Sequence, residues 1–188
     1  SGLPFVVVTT ARLVPLASTL IRRRDLVVVS DAEARRGVGH SIAAGVSTGS
    51  IESAAGRDLP VVRAMPNTPA LVGAGAAAIA GGRHVSEADL VWAESVLGAV
   101  GTVVRVPEAS LDAVTGLSGS GPAYVFLVAE ALIDAGVNAG LPRETADALV
   151  RQTLLGAARL LSEGEQGPEA LRAAVTSPGG TTAAGLRV

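Results

Sequence analysis

The sequence predicts an α/β fold in which an N-terminal, doubly wound parallel sheet with flanking helices is followed by a region of helices alone. Three observations carry this. Short runs of β-branched and apolar residues recur early in the chain, stretches of helical period separate them, and from about Leu111 the strand-like runs cease.

The first strands are expected at residues 5–8, 26–29 and 61–62, each a continuous apolar run of the kind buried on both faces of a parallel sheet. Between the first two, Leu13, Leu16, Ala17, Leu20 and Ile21 recur at helical spacing over residues 11–24, completing a β-α-β outline. Residues 76–80 and 102–106 flank a helical stretch at 87–97 and can add strands to the same sheet. The domain boundary is placed between Pro107 and Glu108, giving a sheet domain over 1–107 and a helical domain over 108–188. In the latter, Ser120-Gly121-Pro122 supplies an N-cap and a first-turn proline for a helix that runs to about Ala135, where Gly136 stops it. A second helix starts at Pro142 and runs to about Glu163, with Ala146, Leu149, Val150, Thr153, Ala157, Leu160 and Leu161 as its apolar stripe. A short third helix covers 168–175, and a last one opens after Ser177-Pro178-Gly179-Gly180-Thr181-Thr182.

Composition removes several classes of function. The chain of 188 residues is 48% apolar but only 2% aromatic, and its formal charge is −2. It therefore lacks both the stacking side chains and the basic field that nucleic acid requires. With no cysteine there are no disulfides or thiolate metal sites, and His40 and His84 lack companion ligands, so no metal is expected. Apolar runs such as 123–129 are too short to span a bilayer, and the start carries no signal-like segment, so the expectation is a soluble cytoplasmic protein without a membrane partner. Val125, Leu127, Val128, Leu132 and Ile133, with the stripe on 142–163, offer more apolar surface than three short helices can bury, which predicts an intimate dimer.

Three segments carry chemistry. In Thr176-Ser177-Pro178-Gly179-Gly180-Thr181-Thr182, two glycines permit close backbone approach, and the turn opens a helix whose free N–H groups favour an anion. The hydroxyls there can serve a carboxylate or a ring nitrogen; a threonine-capped Gly-Pro turn explains the same residues. Leu117-Ser118-Gly119-Ser120-Gly121-Pro122-Ala123-Tyr124 sets small residues before a helix, as a ligand site or an ordinary helix start would. Met65-Pro66-Asn67-Thr68-Pro69 follows a strand, where open α/β sheets bind ligands; it also reads as a rigid connector.

In this order and spacing the three segments resemble the pyrroline-5-carboxylate reductase family, whose Arg-x-Met-Pro-Asn-Thr-Pro pattern is found at residues 63–69 and whose helix-opening signature is found at 112–124. Glu130-Ala131, Ala135-Gly136-Val137, Gly140-Leu141-Pro142, Gln152-Thr153, Gly156-Ala157-Ala158, Leu171-Arg172 and residues 175–182 follow the same pattern, so that the match extends over 41–186. The resemblance implies an N-terminal Rossmann-type domain for NADPH (or NADH) and an all-α dimerisation domain forming a homodimer or larger homo-oligomer. It implies reduction of the ring C=N bond of 1-pyrroline-5-carboxylate to L-proline. Carried over by position, it makes Thr182 the residue at the ring nitrogen, gives Ser177, Gly180 and Thr181 the carboxylate, and brings Glu165 near the ring nitrogen, although a solvated loop carboxylate is the other reading of Glu165. On the cofactor side it implicates Ala43, Ala44, Gly45 and Val46 beside the nicotinamide, together with Asn67. Ser30, at the end of the second strand with Arg35 and Arg36 nearby, suits a 2′-phosphate and favours NADPH.

The sequence departs from the family in three ways. Thr9-Thr10-Ala11-Arg12-Leu13 stands where a Gly-rich pyrophosphate turn is expected, the stretch from Asp31 to Ser41 is short, and the chain stops at Val188 as a long helical region should begin. The expectation is therefore a chain with segments missing from the sheet domain and from its C-terminus. The competing reading is a non-catalytic dimerising relative that has lost dinucleotide binding.

Overall fold

The computed structural model describes residues 5–8, 38–41, 46–55 and 58–187, which divide into two compact units, 1–124 and 125–188. The helix expected at 11–24, the strand at 26–29, and Ser30, Arg35, Arg36, Ala43, Ala44 and Gly45 lie outside the described residues.

The first unit is built on a five-stranded sheet in the order β1 (Phe5–Val8), β2 (Val38–Ser41), β3 (Val61–Met65), β4 (Gly75–Gly81) and β5 (Gly101–Arg105). β1, β2 and β3 run parallel, β4 is antiparallel to β3, and β5 is parallel to β4. The reversal at β4 follows from the connection before it. Residues 66–74 hold two prolines and a single tight turn at Thr68–Val72, too little chain for the crossover of a dozen or more residues that a parallel return needs.

Helix α1 (Thr48–Ala55) precedes β3, and α2 (Glu87–Gly98) joins β4 to β5. α2 begins where it does because Ser86 accepts from the Asp89 amide at 3.3 Å while the Asp89 carboxylate accepts from the Ser86 amide at 2.8 Å. Every residue of β3 is buried, and the alternation of its side chains defines both faces of the sheet. Val62, Ala64 and Ile79 pack on Ala93 of α2 with Trp92, Val96 and Val103 around them. On the opposite face Met65, Ala78 and Ala80 pack on Leu111 of the short helix α3 (Leu111–Val114). The core thus has two thin layers made of small aliphatic side chains.

After α3 the backbone widens into a π-turn over Thr115–Gly119, then continues as α4 (Gly121–Asn138). Ser120 does not cap a new helix as the sequence suggests. Its backbone is helical and its amide donates to the Thr115 carbonyl at 2.8 Å, so the earlier helix carries on. For that reason the apolar runs, too short singly, join into one helical stretch, Glu108–Asn138, long and apolar enough by length and composition to cross a membrane.

The second unit holds the rest of α4, α5 (Arg143–Glu163), α6 (Pro168–Ala174) and α7 (Thr181–Gly185). Gly136 lies inside α4 and does not end it. A Cβ there would stand 3.1 Å from the Ala146 Cβ, so this glycine serves the close approach of α5. The chain turns instead at Gly140, with φ +99°, where the Leu141 amide reaches back to the Gly136 carbonyl at 3.0 Å. Helix α6 ends at Ala174, one residue earlier than its sequence pattern suggests. Ala146 is the single buried side chain of α5 and α4 has none, while Val125, Phe126, Leu127, Val128, Leu132, Leu149 and Leu160 are exposed.

Candidate active site

Because β1, β2 and β3 are parallel, their carboxyl ends fall at one edge of the sheet, and the connections leaving that edge are where an open α/β sheet takes its ligand. β2 ends at the buried Ser41; Val46, 39% exposed, lies in the connection that follows, two residues before α1. β3 ends at Met65 and passes directly into Pro66-Asn67-Thr68-Pro69.

Asn67 occupies the position before a helical turn, where an asparagine ordinarily caps the turn's own amides. Here it does not. Its Oδ1 accepts from the Ala76 amide at the start of β4 at 2.8 Å, and its Nδ2 donates to the Ser118 carbonyl at 3.0 Å. One partner is an obligate donor and the other an obligate acceptor, so the orientation of the amide is determined. The Pro-Asn-Thr-Pro and Ser-Gly-Ser-Gly-Pro segments, separate in sequence, meet through this side chain. Around the second of them, the Ser118 hydroxyl donates to the Val114 carbonyl at 3.2 Å and the Tyr124 hydroxyl to that of Gly116 at 3.1 Å.

A second group is one that reasoning from the sequence missed. Arg63 lies in the middle of buried β3, with only 5% of its side chain exposed, 3.5 Å from Glu108 and 3.6 Å from Asp112. The Glu108 carboxylate in turn accepts from the Thr48 amide at 2.6 Å and from its hydroxyl at 2.7 Å, closing the N-terminus of α1. Burial pushes the Glu108 carboxyl up, but the Thr48 bonds and the Arg63 cation outweigh it and hold the group below the usual carboxylate range. The available signal was an arginine inside an otherwise apolar strand, since such a charge is rarely buried unpaired.

In the second unit, residues 177–182 form one turn. The Gly180 amide donates to the Ser177 carbonyl at 3.1 Å, and Gly179 adopts φ +73°, a conformation that favours glycine. Gly180 is the N-cap residue of α7, and the first intrahelical bond runs from the Ala184 amide to the Gly180 carbonyl at 3.1 Å. The amides of Thr181, Thr182 and Ala183 are thus left without a carbonyl inside the helix. Thr182 is the second helical residue rather than a cap, and its half-buried hydroxyl has no hydrogen-bond partner among the described residues. Glu165 is exposed in the connection between α5 and α6 and makes no ion pair or hydrogen bond among the described residues. The turn therefore brings three hydroxyls, of Ser177, Thr181 and Thr182, and the first-turn N–H donors to one short segment that suits a small anion.

His84 lies 3.5 Å from Asp58, and no group of three or more metal-binding side chains occurs among the described residues. A cavity lined by Pro66, Ala70, Gly75, Leu97 and Thr102 has a volume of about 10 Å³, room for no more than a water.

Residues 108–188 match the family described as pyrroline-5-carboxylate reductase dimerisation. A pyrroline-5-carboxylate reductase of Synechocystis is 55% identical over 148 residues, covering 79% of this chain and 55% of that protein. The solved 1-pyrroline-5-carboxylate reductase of Streptococcus pyogenes superposes with a TM-score of 0.79 at 32% identity, covering 98% of this chain and 67% of that one. The pyrroline carboxylate reductase of Plasmodium falciparum, solved with NADP bound, superposes with a TM-score of 0.84 at 26% identity, over 99% of this chain and 89% of that one. The chain spans about half the length of the curated relatives it matches.

Proposed function

Since the chain belongs to the pyrroline-5-carboxylate reductase family, we propose that it reduces the ring C=N bond of 1-pyrroline-5-carboxylate to give L-proline, the last step of proline biosynthesis, with NADPH (or NADH) as reductant. The observation that carries this reading is the turn at 177–182, with its free first-turn amides beside an unpaired Thr182 hydroxyl.

The substrate is a small ring bearing a carboxylate next to an imine. Ser177, Gly180 and Thr181 hold the carboxylate, since N–H groups at a helix start favour an anion. The Thr182 hydroxyl faces the ring nitrogen, and Glu165 approaches the same nitrogen from the connection before α6. As the ring carbon accepts hydride, the C=N electron pair moves to nitrogen, which takes a proton; a hydrogen bond made there grows stronger along the reaction path.

The dinucleotide, when bound, supplies the hydride. The residues present fit its nicotinamide end: the parallel strands share a carboxyl edge, half-exposed Val46 follows β2, and Asn67 follows β3. Ser30, Ala43, Ala44 and Gly45 complete the cofactor side in this reading, and Ser30 with its neighbouring arginines supports NADPH.

We place the domain boundary at 107/108, supported by the extent of the family match and by the lack of strands after Arg105 among the described residues. The exposed apolar side chains of α4 and α5 support a homodimer or larger homo-oligomer. That assembly covers the apolar length of α4, whose Glu130 and Asp134 suit a soluble, cytoplasmic protein better than a bilayer. A second reading, a non-catalytic dimerising relative, is favoured by the glycine-free stretch Thr9-Thr10-Ala11-Arg12-Leu13. Oxidation of NADPH followed in the presence of 1-pyrroline-5-carboxylate separates the two. A folded dimer that does not turn over and does not bind NADPH establishes the second.

A further inference from the structure

We propose that Asn67 is a positioning residue whose side chain replaces a helical hydrogen bond that Pro122 cannot make, and so locks residues 118–122 onto the carboxyl end of β3. In a helical ladder the Ser118 carbonyl accepts from the amide four residues on. That residue is Pro122, which has no N–H. The next amide, of Ala123, is committed to the Ser120 carbonyl at 2.9 Å. The π-turn over Thr115–Gly119 therefore ends on an orphaned carbonyl, and Asn67 Nδ2 meets it at 3.0 Å. The other end of the same amide receives the Ala76 amide at 2.8 Å, tying β4 into the brace. A Cβ on Gly119 would stand 3.7 Å from the Met65 Sδ, so the backbone of the π-turn lies against the last residue of β3.

Two consequences follow. Each end of the Asn67 amide is bonded within the protein, which fixes the side chain and holds residues 65–69 and 118–122 as one surface at the cofactor edge. Pro122 and Asn67 are also a matched pair, in which the proline creates the need that the asparagine meets. The effect on turnover rests on the reductase reading above; the brace does not.

The experiment is a double-substitution cycle of Asn67→Ala and Pro122→Ala in the full chain. Its readouts are steady-state kinetics with NADPH and 1-pyrroline-5-carboxylate, and hydrogen exchange at the amides of 119–124. Asn67→Ala should lower kcat by about 10- to 100-fold, the scale expected for a misplaced site, and should speed exchange at 119–124. Pro122→Ala restores an N–H facing the Ser118 carbonyl, so adding it to Asn67→Ala should recover part of the lost rate and of the lost protection. A double variant as impaired as Asn67→Ala, with cofactor KM alone raised, overturns the proposal and makes the side chain a direct cofactor ligand. If the unsubstituted chain reduces no imine, the reductase reading fails by itself. The brace is then judged by exchange alone, and unchanged exchange in Asn67→Ala overturns it.

Discussion

The Glu108 carboxylate reaches back 60 residues to Thr48 and receives both its backbone amide, at 2.6 Å, and its hydroxyl, at 2.7 Å. A residue at the start of the helical region thus takes the first amide of a helix in the sheet region, beside the local cap in which the Ser47 hydroxyl accepts from the Ser50 amide at 3.1 Å, while it also partners the buried Arg63. Ser47 serves the Ser50 amide locally and leaves the Thr48 amide to this distant acceptor.

This arrangement makes stability depend on pH. A carboxyl held below its ordinary value contributes stability that is complete above its unfolded pKa, about 4.3 for glutamate, and that disappears as pH falls through the lower folded value. Glu108→Gln should lower the urea midpoint near neutral pH, and the gap from the unsubstituted protein should narrow as pH falls below about 4. A gap of constant size down to the acid transition would show that charge at this position does not matter.

Arg63 has buried Nε and Nη2 atoms without hydrogen-bond partners. Arg63→Ala should cost about 2–5 kcal/mol, chiefly through the cavity it leaves in the sheet, since Glu108 keeps its Thr48 bonds and Asp112 is exposed. Arg63→Met refills most of the volume, so its loss should be smaller by about 1–2 kcal/mol. Equal losses in the two variants, measured by denaturant unfolding, would mean that the lost volume is not what sets the cost.

For Thr182, the distinction is between rate and stability. The N-cap of α7 is Gly180, and no side chain caps that helix, so Thr182→Ala should leave the melting temperature nearly unchanged. If the hydroxyl serves charge building on the ring nitrogen, turnover should fall by about 2–4 kcal/mol in the barrier, roughly 30- to 1,000-fold, with little change in substrate KM. Undiminished turnover would remove Thr182 from the chemistry.

Leu127 is 65% exposed and Phe126 63% exposed on a helix without a buried residue. If a second copy covers them, the buried area should exceed ~2,000 Å² in total, and Leu127→Asp should shift the protein to monomer with a lower melting temperature. Sedimentation at micromolar concentration decides. A monomeric unsubstituted protein, or a dimer indifferent to Leu127→Asp, places the contact elsewhere.

Much of the secondary structure from residue 61 onward, and the segments of the candidate site, were legible in the sequence because their causes are local, whereas β2 and α1 were not read from it. The Val61-Val62 run, the stripe on α5 and the Gly-Gly turn before Thr181 each specify their conformation through neighbours a few residues away. The fold class and the family resemblance rest on such local patterns taken in order. What only the tertiary structure decided are the partners across long separations and the direction of chain reversal. β4 runs antiparallel because its connection is too short to cross over, and Gly136 lies inside a helix, where a Cβ would stand 3.1 Å from that of Ala146. Asn67, read from sequence as a cofactor neighbour, spends its side chain on Ser118, and Arg63 spends its charge on Glu108 and Asp112. The physical reason is the same in each case. A buried polar group must find a partner, and which partner it finds depends on what folding brings within about 3 Å, a distance that sequence spacing does not encode.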